Sequence, residues 1–67
     1  MTEINKDMKI GEILDQNREV GKFFLAMGMH CLGCPSARGE TVAQACMVHG
    51  VDCDKLVAEI NEFLANA

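Results

Sequence analysis

Tryptophan and tyrosine are absent from this 67-residue chain, and three phenylalanines supply all of its aromatic surface. Basic residues are also few: six Lys and Arg stand against ten Asp and Glu, which gives a formal net charge of −4 at pH 7. A nucleic-acid-binding domain normally combines a basic patch with aromatic side chains that stack on bases. We therefore expect no nucleic-acid partner, and the same charge balance disfavours an anionic membrane surface.

Long hydrophobic runs are absent as well. The longest apolar run, at residues 23–29, is far too short to cross a bilayer. The start of the sequence has no apolar run behind a basic segment, so no signal peptide is expected and we predict a cytoplasmic location. Four cysteines in a cytoplasmic domain favour metal or thiol redox chemistry over a structural disulfide framework.

Apolar residues recur at helical spacing along the chain, and no segment alternates as a β-strand does. Residues 1–7 are expected to form a short lead-in, and residues 8–67 a single helical domain. The predicted fold is all-α, a small array of about four short helices with short connections. The four helices are predicted within residues 9–16, 17–28, 39–50 and 52–67.

The predicted helices start and end at residue types that are typical of helix ends. Gly28 and Gly50 follow the second and third predicted helices, where glycine fits the left-handed position after a helix. Between these helices, Pro35 suits the first position of a short helical turn, Pro35–Arg38. Side chains suited to capping first-turn N–H groups precede three helices: Asn17, Thr41 (in a capping box with Gln44) and Asp52.

Cys31 and Cys34 form a C-x-x-C pair in the connection after the second predicted helix. Two intervening residues let both sulfur atoms lie on one side of a turn, and Gly33 removes a side-chain obstacle to that turn. The two thiols can therefore close on each other as a disulfide or converge on one metal ion.

Several neighbours of this pair favour the thiolate form. His30 adjoins Cys31 and would stabilise its thiolate if the imidazole is protonated. Cys34 precedes a proline and is a candidate N-cap of the Pro35–Arg38 turn, where unpaired N–H groups stabilise negative charge. Arg38 would add positive charge if that turn folds back toward the thiols.

A bare C-x-x-C also suits a metal site. His30, Cys31 and Cys34 could supply three ligands, and Cys46 or His49 could supply the fourth. Alternatively, each chain of a homodimer could donate one C-x-x-C to a zinc ion or an iron–sulfur cluster on a two-fold axis. A thioredoxin fold is not expected, because the chain shows no βαβ pattern around the motif.

The remaining cysteines and histidine have plainer explanations. Cys46 lies on the apolar face of the third predicted helix and is expected to be a buried, inert thiol. Cys53 follows the Asp52 cap and is expected to be a surface or half-buried residue without a role. His49 precedes Gly50, at a helix C-terminus that favours a histidine. No carboxylate pair suggests acid–base catalysis, so an independent enzyme is not expected.

Three segments, MKIGEIL, GMHCLGCP and GETVAQACMVHGVDCDKLVAEINEFL, together resemble a family of small bacterial domains. That family is named the hybrid-cluster-protein-associated redox disulfide domain and is otherwise a domain of unknown function. The likeness extends from about residue 8 to residue 64 and is most specific over residues 28–34. It implies a compact all-helical fold that presents a thiol pair in an HCxGC loop.

The resemblance also implies a site composed of His30, Cys31 and Cys34, with His49 as a supporting group behind them. A more distant likeness is to the amino-terminal domain of di-iron proteins that repair iron–sulfur clusters, which presents a short cysteine motif too. Our leading hypothesis is a thiol-redox module without a resident cofactor that serves a partner redox or iron–sulfur enzyme. The alternatives are a zinc or iron–sulfur module, shared across a dimer or not, and a non-catalytic adaptor that docks through the loop.

Overall fold

The computed structural model describes residues 3–29 and 35–66. Within these ranges the chain forms only helices and turns, apart from one isolated β-bridge, which confirms the predicted all-α class. No helix there is both long and apolar enough to span a membrane. The helices are α1 (Ile10–Gln16), a 3-10 turn (Arg18–Val20), α2 (Gly21–Ala26), α3 (Pro35–Arg38), α4 (Val42–His49) and α5 (Cys53–Ala65).

The beginnings of α4 and α5 follow the predicted capping contacts. The Oγ1 of Thr41 accepts the N–H of Gln44 at 3.1 Å, and the Oε1 of Gln44 accepts the N–H of Thr41 at 2.9 Å. Asp52 caps α5 because its Oδ1 accepts the N–H of Lys55 at 3.3 Å. Gly50 ends α4 with φ +67°, in the left-handed region. These ends are confirmed because each depends on contacts within four residues.

The helix predicted over residues 17–28 is divided into the 3-10 turn and α2. Asn17 ends α1 by donating its N–H to the carbonyl of Ile13 at 3.0 Å, and its side chain caps the N–H of Glu19 at 3.0 Å. The N–H of Val20 then bonds only three residues back, to Asn17 at 3.3 Å. This 3-10 turn is tighter than the α-helical turn that was predicted here. It places Val20 in the core, where the side chain is fully buried.

The core lies between α1, α2, α4 and α5. Helix α5 contributes the stripe of Leu56, Ile60 and Leu64 that its spacing predicts. Phe23 and Phe63 meet edge to face at the margin of this core, with ring centroids 5.6 Å apart. The largest fully buried side chains are Phe24, Ile10, Ile13, Ile60, Val20, Val42 and Cys46.

The segment before α1 packs into this core as well. Ile4 is only 3% exposed. Its N–H donates to the Oδ1 of Asn61 at 2.7 Å, and its carbonyl accepts the Nδ2 of Asn61 at 3.1 Å. The carbonyl of Lys6 accepts the N–H of Ala43 at 3.0 Å. Residues 4–6 therefore contact both α4 and α5.

The starts of α1 and α4 lie side by side. The N–H of Ile10 donates to the carbonyl of Glu40 at 2.9 Å, and the N–H of Val42 donates to the carbonyl of Met8 at 3.1 Å. These two bonds flank the antiparallel bridge between Lys9 and Thr41. The chain that follows α3 is therefore held against the beginning of α1.

Candidate functional site

The thiol pair of the sequence-predicted site lies outside the described residues. His30, Cys31 and Cys34 fall in the range 30–34, and so does the predicted capping of α3 by Cys34. The structure describes the chain up to Met29 on one side and from α3 onward on the other. The described neighbours of the site are therefore these two flanks and His49.

The end of α2 fixes the direction in which the chain enters the motif. The N–H of Gly28 donates to the carbonyl of Leu25 at 3.1 Å, and the N–H of Met29 donates to that of Phe24 at 3.2 Å. This pair of bonds is the Schellman ending, and Gly28 adopts the positive φ that it requires, +108°. Met29 is buried, so a core side chain and two hydrogen bonds hold the last described residue before His30.

On the other side of the motif, α3 is held against α1. The Nη2 of Arg38 lies 2.6 Å from the Oδ1 of Asp15 and 3.3 Å from the carbonyl oxygen of Gly11. A β-carbon on Gly11 would lie 2.9 Å from the Cβ of Arg38 and 3.0 Å from its carbonyl oxygen, so a glycine is needed for this approach. Asp15 partly neutralises the charge of Arg38. The sequence had suggested that this positive charge could stabilise the thiolates.

His49 lies beside the end of α2. Its Nδ1 would be 3.5 Å from a β-carbon placed on Gly28, and its Cε1 4.0 Å. The residue is exposed and belongs to the last turn of α4. The imidazole of His49 therefore lies beside Gly28, which precedes His30 by two residues. The supporting role that the resemblance implies for His49 stays a prediction, because the thiols lie outside the described residues.

Cys46 and Cys53, which the sequence suggested had no shared role, lie together. Cys46 is 2% exposed, as predicted for a core residue, and Cys53 is half-buried at the start of α5. Burial raises the pKa of the Cys46 thiol from its usual 9.0 to about 11, with further contributions from a hydrogen bond with Cys53 and from charge at Cys53 and Asp52. The sequence feature that could have predicted this pair is that the two cysteines lie on either side of one short turn.

Metal ligation gains no support from the described part of the chain. Within residues 3–29 and 35–66, no three His, Cys, Asp or Glu side chains converge as a metal-binding group. Of the two suggested fourth ligands, Cys46 is buried with its thiol toward Cys53, and His49 is exposed beside Gly28. The other suggested ligands are the motif residues themselves, which lie outside the described ranges.

An open groove of about 670 Å³ runs between α2 and the first half of α5. Lysines and carboxylates both line it, with Lys22 and Lys55 on its walls beside Asp52 and Glu59. The ammonium group of Lys22 lies 4.1 Å from the centroid of the Phe63 ring, a cation–π distance. Because charges of both signs are present, the groove has no electrostatic preference for a polyanion.

The family of the chain follows from its sequence match. Residues 4–57 match the family described as Domain of unknown function (DUF1858), which is well over half of the chain. The chain belongs to the DUF1858 family. This DUF1858 domain is similar to a Clostridium thermocellum protein whose NMR solution structure was determined as a structural genomics target. The two are 49% identical, the match covers 97% of this chain and 93% of that one, and the TM-score is 0.82. No curated protein matches the DUF1858 domain described here.

Proposed function

We propose that this DUF1858 domain is a cytoplasmic thiol–disulfide redox module in which Cys31 and Cys34 cycle between a dithiol and a disulfide. In the oxidising direction the two thiols lose two protons and two electrons and form one S–S bond. The electrons pass to a disulfide of a partner or of a small molecule, which is cleaved to two thiols. Reduction runs the same exchange in reverse.

The observation that supports this proposal most strongly is the anchoring of both flanks of the motif. Met29 is buried and held by the Schellman ending of α2, and α3 is held on α1 through Arg38. Five residues connect these flanks, and they include both thiols. Because both flanks are held and the two cysteines are only three positions apart in the sequence, we expect a high effective concentration of one thiol for the other.

His49 supports the redox proposal as a proton acceptor and donor near the motif. Thiol–disulfide exchange moves a proton whenever a thiolate leaves or attacks, and an imidazole is suited to accept or return that proton. The imidazole of His49 lies against Gly28, near the point where the chain enters the motif. In this proposal His49 acts through the water or side chains around the thiols rather than as a reacting group.

We propose further that the dithiol serves a partner metalloprotein, a redox or iron–sulfur enzyme, as the likeness to hybrid-cluster-protein-associated domains implies. Two large apolar side chains, Met47 and Val48, are 78% and 74% exposed. They directly precede His49 in α4. Exposed apolar surface is typical of a protein-contact region, which supports a protein as the redox partner.

Isolation without oxygen separates this proposal from the metal alternative. We expect fully reduced protein to show four titratable thiols and no stoichiometric zinc or iron. After mild oxidation, the tryptic peptide of residues 23–38, which contains both motif cysteines, should become lighter by two hydrogen atoms and resist alkylation. Peptide 23–38 of the matched Cys53→Ser variant, which has three thiols in all, should change in the same way.

The opposite result is equally specific. A stoichiometric metal ion, or a visible cluster absorbance, that is lost in the Cys31→Ser, Cys34→Ser double variant would replace the redox proposal with a metal site. One metal per two chains would indicate the shared dimeric form of that site. Two thiols in peptide 23–38 that never pair would contradict redox cycling outright.

A further inference from the structure

A second pair of cysteines lies across the turn between α4 and α5. Helix α4 ends at Gly50, and the N–H of Val51 returns to the carbonyl of Cys46 at 2.9 Å. Asp52 then caps α5, whose first residue is Cys53. The turn thus brings the start of α5 back beside the last turn of α4, where Cys53 packs against the core cluster that contains Cys46 and lies close enough to raise the pKa of its thiol.

The two thiols of this pair have different surroundings. Cys46 is 2% exposed within the core, whereas Cys53 is half-buried and reaches solvent. The raised pKa of Cys46, about 11, keeps this thiol protonated at neutral pH. Because Cys53 is the more exposed of the two, a reagent in solution reacts with Cys53 first, and Cys46 is the buried thiol next to it.

We propose that Cys46 and Cys53 form a second redox-active dithiol, which closes to a disulfide across the α4–α5 turn when a low-molecular-weight disulfide such as oxidised glutathione reacts with Cys53. In the first step the Cys53 sulfur forms a bond to one glutathione sulfur, and the other glutathione leaves as a thiol. In the second step Cys46 attacks the Cys53 sulfur and expels the remaining glutathione. The two protein thiols lose two protons and two electrons, and one oxidised glutathione becomes two reduced ones.

The second step is favoured by the geometry of the turn. When Cys53 carries glutathione, the charge and hydrogen bond by which it helps to raise the pKa of Cys46 are both lost, and only burial and the charge of Asp52 still raise it. The turn already places Cys46 beside Cys53, whose sulfur it must attack, and such proximity offsets a low thiolate fraction. This pair is separate from Cys31 and Cys34, so the inference goes beyond the proposed function.

The two pairs can be tested in one digest because trypsin separates them. Cleavage after Arg38 and Lys55 leaves Cys46 and Cys53 together in peptide 39–55, while Cys31 and Cys34 lie in peptide 23–38. The reduced full chain is equilibrated with mixtures of reduced and oxidised glutathione, quenched in acid, alkylated and digested. We expect peptide 39–55 to lose two hydrogen atoms and escape alkylation as the mixture becomes more oxidising, in the Cys31→Ser, Cys34→Ser variant as in the wild type.

A trapping variant keeps the test informative if oxidation is slow. In Cys46→Ala the internal thiol is missing, so peptide 39–55 should accumulate one glutathione on Cys53, whereas the wild type should carry at least about tenfold less of that adduct at the same time point. Circular dichroism shows whether the variant is folded, and Cys53→Ser supplies the matched control, which should gain little glutathione on Cys46.

Two results would overturn the second dithiol. The first is a peptide 39–55 that takes two alkyl groups at every glutathione ratio. The second is an equal yield of the glutathione adduct in the wild type and in Cys46→Ala. The oxidation state of peptide 23–38 is measured separately. A negative result for one cysteine pair therefore does not affect the result for the other.

Discussion

Among single residues, Gly28 bears the strongest backbone constraint next to the candidate site. Its φ of +108° lies in a region that side chains with a β-carbon avoid, and the imidazole of His49 occupies the space beside it. Gly50 also has a positive φ, +67°, but nothing lies within 4 Å of the position that its β-carbon would take. Both substitutions therefore strain the backbone, and at neither position would the added β-carbon meet a neighbour closer than ordinary van der Waals contact.

We expect Gly28→Ala to lower the free energy of unfolding by about 2 kcal/mol and Gly50→Ala by about 1 kcal/mol. The difference arises because the φ of +108° at Gly28 lies farther from the left-handed region, centred at about +57°, than the φ of +67° at Gly50. Urea unfolding of the two variants under reducing conditions measures both values. An equal cost for the two substitutions would show that this difference in φ does not affect stability.

Cys46 links the stability of the domain to pH. Its pKa is about 11 in the folded chain, above the usual 9.0, so the folded state keeps the thiol proton over a range in which the unfolded chain releases it. The stabilising contribution is complete below pH 9 and is lost as the pH rises toward 11. We expect this residue to account for a loss of about 2 kcal/mol across that range.

The contribution of Cys46 is isolated by comparison with Cys46→Ala. With excess reductant present, the difference in free energy of unfolding between the wild type and this variant should shrink as the pH rises from 9 to 11. A difference that stays constant would mean that the folded and unfolded states hold the Cys46 proton equally well.

At the scale of elements, the position of α3 depends on its close approach to α1 at Gly11. A β-carbon there would meet both the side chain and the backbone of Arg38 at 3.0 Å or less. The ion pair between Arg38 and Asp15 is more solvated, since the side chain of Asp15 is 69% exposed. Backbone proximity should therefore matter more than charge for holding α3.

We expect Gly11→Ala to destabilise the domain by about 1–2 kcal/mol, because crowding against α3 outweighs the better helix propensity of alanine. Asp15→Asn should cost less than about 1 kcal/mol, as is typical of an exposed ion pair. Thermal unfolding of the two variants gives the comparison. A stabilising effect of Gly11→Ala would show that α3 can move away from α1 without cost.

The whole molecule is joined through contacts between distant parts of the sequence. Asn61 in α5 makes two hydrogen bonds with the backbone of Ile4, 57 residues away. Asn66 provides a control at the end of the same helix, because among the described residues its side chain bonds only to the exposed carbonyl of Glu62, at 2.8 Å. We expect Asn61→Ala to cost about 2 kcal/mol, since it leaves the backbone of Ile4 without these partners.

Asn66→Ala should change the free energy of unfolding by no more than about 0.5 kcal/mol. Hydrogen exchange provides a second readout, because Asn61→Ala should speed exchange of the Ile4 amide and Asn66→Ala should not. Equal effects of the two substitutions would mean that the segment before α1 does not depend on Asn61.

The same contrast between local and distant contacts explains what the sequence could predict. The capping box of Thr41 and Gln44 and the glycine ends of α2 and α4 were predictable because each involves residues within one or two turns. Burial of Ile4 and the contact of Arg38 with Gly11 depend on pairs 57 and 27 residues apart, and no local pattern encodes them. The Cys46 and Cys53 pair falls between these cases, because only the tertiary turn between α4 and α5 brings the two thiols together.

The measurement that tests the central proposal most directly is the reduction potential of Cys31 and Cys34. The Cys46→Ala, Cys53→Ser variant, which retains only these two thiols, is equilibrated with glutathione buffers, and the alkylation state of peptide 23–38 is followed. We predict reversible pairing at a potential of about −200 to −280 mV, where cytoplasmic thiol partners can both reduce and oxidise the domain. Two alkylated cysteines at every ratio, or a disulfide with a potential far below about −300 mV that no glutathione mixture opens, would contradict the proposal.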